Sequence, residues 1–361
     1  MPESPVGNKD SHLIRVLMAN VALVSGLLLM SVVACPTVGK SSIAELPRLR
    51  GVMSPTRNMN VDDFRVFRLW GVTLLRYQMN RDKSHVDDKN LEEFDRWLDG
   101  KLDHLDNFVL PQAEKNGVSV VVDLHMPPGG RDDSSDMVMF YEEKFADHFV
   151  KTWQRIARRF RCRNTIYGYD LINEPLQTRT ASSGIDYWNL QRRAAEAVRK
   201  EDPYTPIVIE SNIRDSPSGF GDLRPISLSN VIYQVHMYEP MDFTHQNVLK
   251  YYRKEMCYPN CVKGWDKEFL RRQLQPVRDF QRKHKARIYV GEFSAVAWAE
   301  GADQYLADCI SLFEEYGWDW TYHAFREWHG WSVEHEGPDA QHLVLSTDNP
   351  RKRVLLKAFR P

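Results

Sequence analysis

Short apolar, β-branched runs alternate along the chain with segments whose apolar positions recur at a helical period. The runs are Leu49–Met53, Gly71–Met79, Val118–Met126, Ile166–Glu174, Pro206–Ser211, Asn230–Tyr238, Arg287–Ser294 and Trp318–Trp328. A run that is apolar throughout reads as a parallel strand covered on both faces. Between the runs, Leu91, Phe94, Leu98, Leu102, Leu105 and Phe108 mark one helical stripe, and Phe145, Phe149, Trp153, Ile156 and Phe160 a second. Phe269, Val277 and Phe280 fall in a third, and Tyr305, Cys309, Leu312 and Tyr316 in a fourth. Asn116-Gly117 reads as a helix stop just before a strand. Eight strand–helix alternations without a Pro/Gly/Ser-rich linker predict an α/β fold, a single (β/α)8 TIM barrel over residues 46–361. A doubly wound open sheet is the competing architecture, but no G-x-G-x-x-G or G-x-x-x-x-G-K-[ST] follows any run.

The beginning of the chain follows another pattern. Residues 1–15 are polar with Lys9 and Arg15, and residues 16–35 are apolar except for Asn20 and two serines. A charged region followed by an apolar one predicts an export signal, hence a periplasmic, cell-surface or secreted protein. Val32-Val33-Ala34-Cys35 resembles a bacterial lipobox, in which Cys35 would be lipidated and attach the chain to a membrane. Plain cleavage after Ala34 and an uncleaved anchor are the alternatives. Residues 36–45 then read as a tether. In an oxidising compartment Cys257 and Cys261 could close a small disulfide, whereas Cys162 and Cys309 read as buried thiols.

Composition changes this picture little. A formal charge of −1 with both signs intermixed offers no footprint for nucleic acid. Ten Trp and fifteen Tyr would suit a sugar-stacking cleft, although most aromatic residues serve the core. A monomer without cofactor or metal is expected.

The chemistry lies where the runs end. In a barrel, the C-terminal ends of all strands converge on one mouth. The run Ile166–Ile172 leads into Asn173-Glu174-Pro175, where Pro175 would stop the strand for want of an N–H. Arg287–Ala295 delivers Glu292, so two carboxylates close two strands pointing the same way. Paired carboxylates suggest cleavage of a glycosidic bond. Around them fall Arg76 on the second strand, Asp123 and His125 on the third, Glu210 on the fifth, His236 and Tyr238 on the sixth, and Trp328 after the eighth. Arg76 is either a rim salt bridge or a fixed charge that keeps a nearby carboxylate ionised. Glu210 could touch sugar or form a rim salt bridge. A metal held by His125, His236 and a carboxylate is the sharpest alternative, but no H-E-x-x-H is present.

Asn173-Glu174-Pro175 on a fourth strand and Glu292 on a seventh resemble the retaining glycoside hydrolases of family 5, in the clan with 4/7 barrel topology. Arg76, His125, Asn173, Glu174, His236, Tyr238, Glu292 and Trp328 each match a member of that family's usual set. The resemblance implies double displacement, with Glu292 as nucleophile and Glu174, its proton affinity raised by anionic Glu292, as acid and base. It implies that Tyr238 and Arg76 hold Glu292 ionised, and that Asn173 bonds the sugar's 2-hydroxyl. His125 and His236 would bind substrate or support the carboxylates, and Trp328 would stack under the reacting sugar. The expected partner is a polysaccharide or oligosaccharide, a β-1,4-linked glucan or related hemicellulose. A mannan, short oligosaccharides cut from one end, or binding with little turnover are the alternatives. Loops 127–139, 178–186, 239–265 and 328–341 would set that choice.

Overall fold

The computed structural model describes residue 43 and residues 46–81, 86–248 and 255–360. The predicted export segment, Cys35 and most of the tether lie outside the described residues. Eight parallel strands close into a barrel in chain order: β1 (Arg50–Met53), β2 (Leu74–Gln78), β3 (Ser119–Asp123), β4 (Ile166–Asp170), β5 (Ile207–Glu210), β6 (Val231–Met237), β7 (Arg287–Phe293) and β8 (Asp319–Tyr322). Every one lies within its predicted run, and most are shorter at the C-terminal end. β4 stops at Asp170, so Asn173-Glu174-Pro175 belong to the following loop and Pro175 does not end the strand. The run overreaches because Leu171 and Ile172 stay buried beneath loops after the ladder has ended. β8 likewise stops at Tyr322, well before Trp328.

Helices α1 (Val61–Trp70), α2 (Leu91–His104), α3 (Leu110–Lys115), α4 (Glu143–Phe160), α5 (Tyr187–Glu201), α6 (Met241–Thr244), α7 (Lys267–Gln273), α8 (Gln275–His284), α9 (Ala302–Tyr316) and α10 (Pro350–Phe359) accompany the barrel. A π-helical turn, Leu105–Val109, joins α2 to α3, so the first stripe runs on to the Asn116-Gly117 stop. The third stripe divides into α7 and α8 because Pro276 lacks the N–H that a continuous helix needs. Among the described residues no helix is long and apolar enough to cross a membrane.

Cys257 and Cys261 are free, contrary to the expected disulfide. A backbone bridge ties Cys257 to Glu300, while the Asn260–Trp265 pairing leaves Cys261 exposed. Cys162 is half-buried and disulfide-bonded rather than a buried thiol. Cys309 is a buried free thiol.

Two layers of core follow from the alternation of side chains along each strand. Outward-facing residues such as Leu75, Tyr77, Val120 and Val122 join the helices in one large cluster. Leu49, Leu74, Val121, Tyr167, Val208, Ile232 and Tyr289 form a separate plug inside the barrel. Beside that plug, Asp319 accepts from Arg287 Nε and Nη2 at 2.7 and 2.9 Å and from the Tyr167 hydroxyl at 2.7 Å. Two residues further along β2, β3, β5 and β6, the same inward positions carry Arg76, Asp123, Glu210 and Gln234. The barrel interior therefore changes from apolar to charged in a single layer.

Candidate active site

Arg76 occupies the centre of that layer, fully buried. Its Nε donates to Asp170 Oδ2 at 2.9 Å and its Nη1 to Glu292 Oε1 at 2.7 Å. Its Nη2 donates to Asn173 Oδ1 at 3.0 Å and Glu210 Oε1 at 3.2 Å, and lies 3.4 Å from Asp123 Oδ2. Burial opposes its charge, but Asp123, Asp170, Glu292 and Glu210 outweigh burial and hold the guanidinium well above its ordinary pKa. A buried charge survives when it is paired and hydrogen-bonded in this way. Asp170 is pushed up to about 6, because burial and neighbouring Asp123 oppose the pull of Arg76.

Glu292 reaches this cation through a local irregularity. Val235 pairs with Val290 and His236 with Glu292, so Gly291 is an extra residue on β7. The bulge sets Glu292 beside His236. A Cβ at Gly291 would lie 2.4–2.7 Å from the Gln234 amide, so a side chain at the irregular position would have to displace that amide. Glu292 Oε2 accepts from the Tyr238 hydroxyl at 2.8 Å. Burial pushes its pKa up, yet the charges of His236, His323, Arg76 and His125 hold it well below the usual carboxylate range.

Glu174 shares the same edge of His236, whose Nδ1 is 3.2 Å from Glu174 Oε1 and 3.7 Å from Glu292 Oε2. One oxygen of each glutamate and His236 Nδ1 all lie within 4.8 Å of one another. The Glu174 backbone has a left-handed φ of 52°. Glu210 Oε2 accepts from its N–H at 2.6 Å, and Arg131 Nη2 donates to its carbonyl at 2.8 Å and to that of Asn173 at 3.2 Å. Three consecutive left-handed residues, Ile213, Arg214 and Asp215, follow β5. They bring Arg214 Nη1 to 3.6 Å from Glu174 Oε2 and set the Asp215 carbonyl to accept from His236 N–H. The expected rise in Glu174's proton affinity is reversed in this geometry. Burial and Glu292 do push it up, but the His236 hydrogen bond and the charges of His236 and Arg214 leave it below its ordinary value.

Asn173 Oδ1 is committed to Arg76, so its Nδ2 faces His125 Nε2 at 3.2 Å, while His125 Nδ1 meets Asp123 Oδ2 at 2.9 Å. Arg76, His125, Asn173, Glu174, His236, Tyr238 and Glu292 thus form one connected network. Trp328 stands apart from it. Its ring packs edge-on against Trp298 and Trp331, and it is Trp331 that neighbours Tyr238 and His323. The eighth strand is followed directly by His323, whose Nδ1 lies 2.6 Å from the Tyr238 hydroxyl.

Asp170, Asp215, Gln234, His323, Glu327 and Arg131 are the members that pattern reading does not single out. Asp170 ends an apolar strand just as Asp123 does, and that signal could have found it. Gln234 is an inward-facing residue of β6, and the others depend on contacts between distant loops.

Glu174, His236 and Glu292, or Glu210, Asp215 and His236, could together face a metal ion. His125 belongs to neither group, so the ligand set expected for a metal is not assembled. In the first group the facing atoms are already engaged with one another or with Arg76 and Tyr238. In the second, Asp215 bonds Ser211 through Oδ1 and leaves Oδ2 without a hydrogen-bond partner among the described residues.

A closed (β/α)8 barrel holding two carboxylates, one on a cation and one on a histidine, at the C-terminal ends of its strands has the layout of a barrel hydrolase. Sequence relationships narrow that class. The family model described as Cellulase (glycosyl hydrolase family 5) matches residues 44–328, so the chain belongs to this family and is a glycoside hydrolase. Endoglucanase C of Acetivibrio thermocellus is 28% identical over 268 residues, covering 65% of this chain and 76% of that protein. A β-xylosidase of Phanerodontia chrysosporium is 32% identical over 148 residues, covering 39% of this chain and 30% of the other. Among solved structures, a hyperthermophilic endo-β-1,4-glucanase in complex with substrate superposes with a TM-score of 0.67 at 19% identity, over 86% of this chain and 96% of that one. The endoglucanase of Thermotoga maritima gives 0.63 at 19% identity, over 86% and 96%.

Proposed function

We propose that the protein is an exported, monomeric, retaining endo-β-glucanase acting on a β-1,4-linked glucan or related hemicellulose. The observation that carries this reading is the approach of Glu174 and Glu292, with one oxygen of each within 4.8 Å. Retaining glycosidases hold their carboxyl groups about 5–5.5 Å apart, whereas inverting ones need about 6.5–9.5 Å to admit a water between acceptor and base. In the first step a Glu292 oxygen forms a bond to the anomeric carbon as the glycosidic C–O bond breaks, and the Glu174 proton passes to the leaving oxygen. In the second, water attacks the same carbon and gives its proton to Glu174, and the bond to Glu292 breaks. Asn173, whose Oδ1 accepts from Arg76, would bond the sugar's 2-hydroxyl. His236 Nδ1 lies 3.2 Å from Glu174 Oε1 and 3.7 Å from Glu292 Oε2, so one imidazole links the acid to the nucleophile. The relatives called endoglucanases favour an internal cut in a glucan.

The test is to expose the purified protein to a panel of β-linked polysaccharides and follow the fresh product's anomeric form by NMR. Release of β-product from a glucan supports the reading. An α-product overturns retention, and cleavage confined to mannan or to short oligosaccharides overturns the substrate assignment. Binding without any release of reducing sugar would replace catalysis by a binding role.

A further inference from the structure

A chain of hydrogen bonds continues from Glu292 away from Arg76 and ends on a residue with no part in the reaction just described. Both Glu292 oxygens accept, Oε1 from Arg76 and Oε2 from the Tyr238 hydroxyl. A phenol has one proton, so the Tyr238 oxygen can only accept from its other neighbour, His323 Nδ1 at 2.6 Å. The opposite ring nitrogen, His323 Nε2, lies 3.2 Å from Glu327 Oε2. Gln78 Nε2 donates to that same Glu327 oxygen at 2.8 Å. The Gln78 amide is oriented by its bonds to the Ser54 carbonyl and to Asn80 Nδ2. Glu327 Oε2 is therefore an acceptor as well, and both nitrogens of His323 must carry protons.

Resting on the retaining reading above, we propose that Glu327, His323 and Tyr238 form a relay that aims the nucleophile, with His323 as a positioning imidazolium. Glu327 keeps His323 charged, His323 turns the Tyr238 proton toward Glu292, and the Glu292 carboxylate is held in one orientation. Loss of the proton from His323 turns its Nδ1 into an acceptor. That nitrogen then competes for the Tyr238 proton, and Glu292 Oε2 loses its donor.

The surroundings agree. Burial opposes the charge on His323, but Glu292 and Glu327 outweigh it and push its pKa up to about 9. The Tyr238 phenol is held well above its ordinary value by burial and by Glu292, so it remains a donor. Glu327 is held below its ordinary value despite burial, by the His323 charge and the bonds from His323 and Gln78. The other titratable or charged neighbours include Arg76, whose charge opposes that of His323, and His245, which burial lowers to about 4. His125 also favours the Glu327 carboxylate, Glu174 adds to the rise at Tyr238, and the His236 ring lies edge-on to Tyr238 at 6.5 Å. His245 sets its ring edge-on to Tyr238 at 4.9 Å and lies the same distance from Trp331.

Two measurements on the full chain test the relay. The first is kcat/KM against pH for an activated dinitrophenyl β-glycoside, whose leaving group needs no proton from Glu174. Under the proposal the alkaline limb lies near pH 9. Glu327→Gln moves this limb down by about one pH unit or more, and the rate falls by about ten-fold or more across it. The second is the nitrogen NMR titration of the His323 ring, which requires no turnover. Both nitrogens are protonated at neutral pH in the wild type, and the midpoint drops in Glu327→Gln. A neutral His323 ring at neutral pH overturns the proposal, and so does an alkaline limb that stays in place while the NMR midpoint moves. Absence of turnover on every β-glycoside overturns the glycosidase reading, and the relay with it. An active enzyme with an unmoved limb overturns the relay alone.

Discussion

Glu174 adopts a backbone conformation that costs an L-residue about 1–2 kcal/mol, and two partners, the buried Glu210 and the half-buried Arg131, hold it there. Glu210 takes the N–H, and Arg131 takes two successive carbonyls. Misplacement of a catalytic group by about 1 Å can cost about a hundred-fold in rate. Arg131→Ala should therefore lower kcat/KM on natural β-glycans by about that factor, with a much smaller loss on dinitrophenyl glycosides that need no acid in the first step. Equal losses on both substrates would show that Arg131 supports something other than the acid. Glu292 has a different dependence. Glu292→Gln keeps the shape but not the nucleophile, so turnover should fall by several orders of magnitude on either substrate while the thermal unfolding transition survives. Near wild-type turnover in that variant would remove Glu292 from its role. Arg131 was not legible from its surroundings in the chain, because it lies in a polar loop with nothing to mark it. Glu292 was legible because a carboxylate inside an apolar strand is costly to bury and so marks a site.

Elements act on the site through their irregularities. The bulge at Gly291 brings Glu292 beside His236, and the space that a side chain there would need belongs to the Gln234 amide. That amide bonds Glu210 and faces His236 Nε2. Gly291→Ala should displace Gln234, lowering activity by about ten- to a hundred-fold and stability by about 1–3 kcal/mol through overpacking. Urea unfolding and initial rates on one sample would test both, and an unchanged rate would mean that the bulge only accommodates the strand. A one-residue insertion leaves no mark in a run that is apolar throughout, because there is no alternation for it to interrupt, so only the boundaries of β7 were readable. The split between α7 and α8 was readable in principle at Pro276. The π-helical turn after α2 was not, since it leaves the apolar stripe unbroken.

The whole barrel separates stability from chemistry along its axis. Its apolar plug adjoins the Arg287–Asp319 pair, whose side chains are 13% and 1% exposed. Arg287 also donates to the Ile43, Leu46 and Pro47 carbonyls, tying the segment before β1 to the barrel. Asp319→Ala should lower unfolding free energy by about 3–5 kcal/mol, because Arg287 keeps a largely buried charge without its partner. At temperatures where the variant remains folded, kcat/KM should stay close to wild type, since neither residue touches the catalytic network. A large loss of activity without loss of stability would contradict that division.

By itself the sequence determined the architecture: eight apolar runs and the intervening helical stripes admit few arrangements other than a closed parallel barrel. It also marked the principal candidate residues, because Arg76, His125, Asn173, Glu174, His236, Tyr238 and Glu292 interrupt or end apolar runs where polar groups are costly. Only the tertiary structure decided how that chemistry is held. The lowered proton affinity of Glu174, the relay through His323 and Glu327, and the outlying place of Trp328 depend on which loops meet over the barrel mouth. Periodicity records burial against a core shared by whole elements. Contacts between single polar groups on separate loops leave no period, so three-dimensional closure alone brings them together.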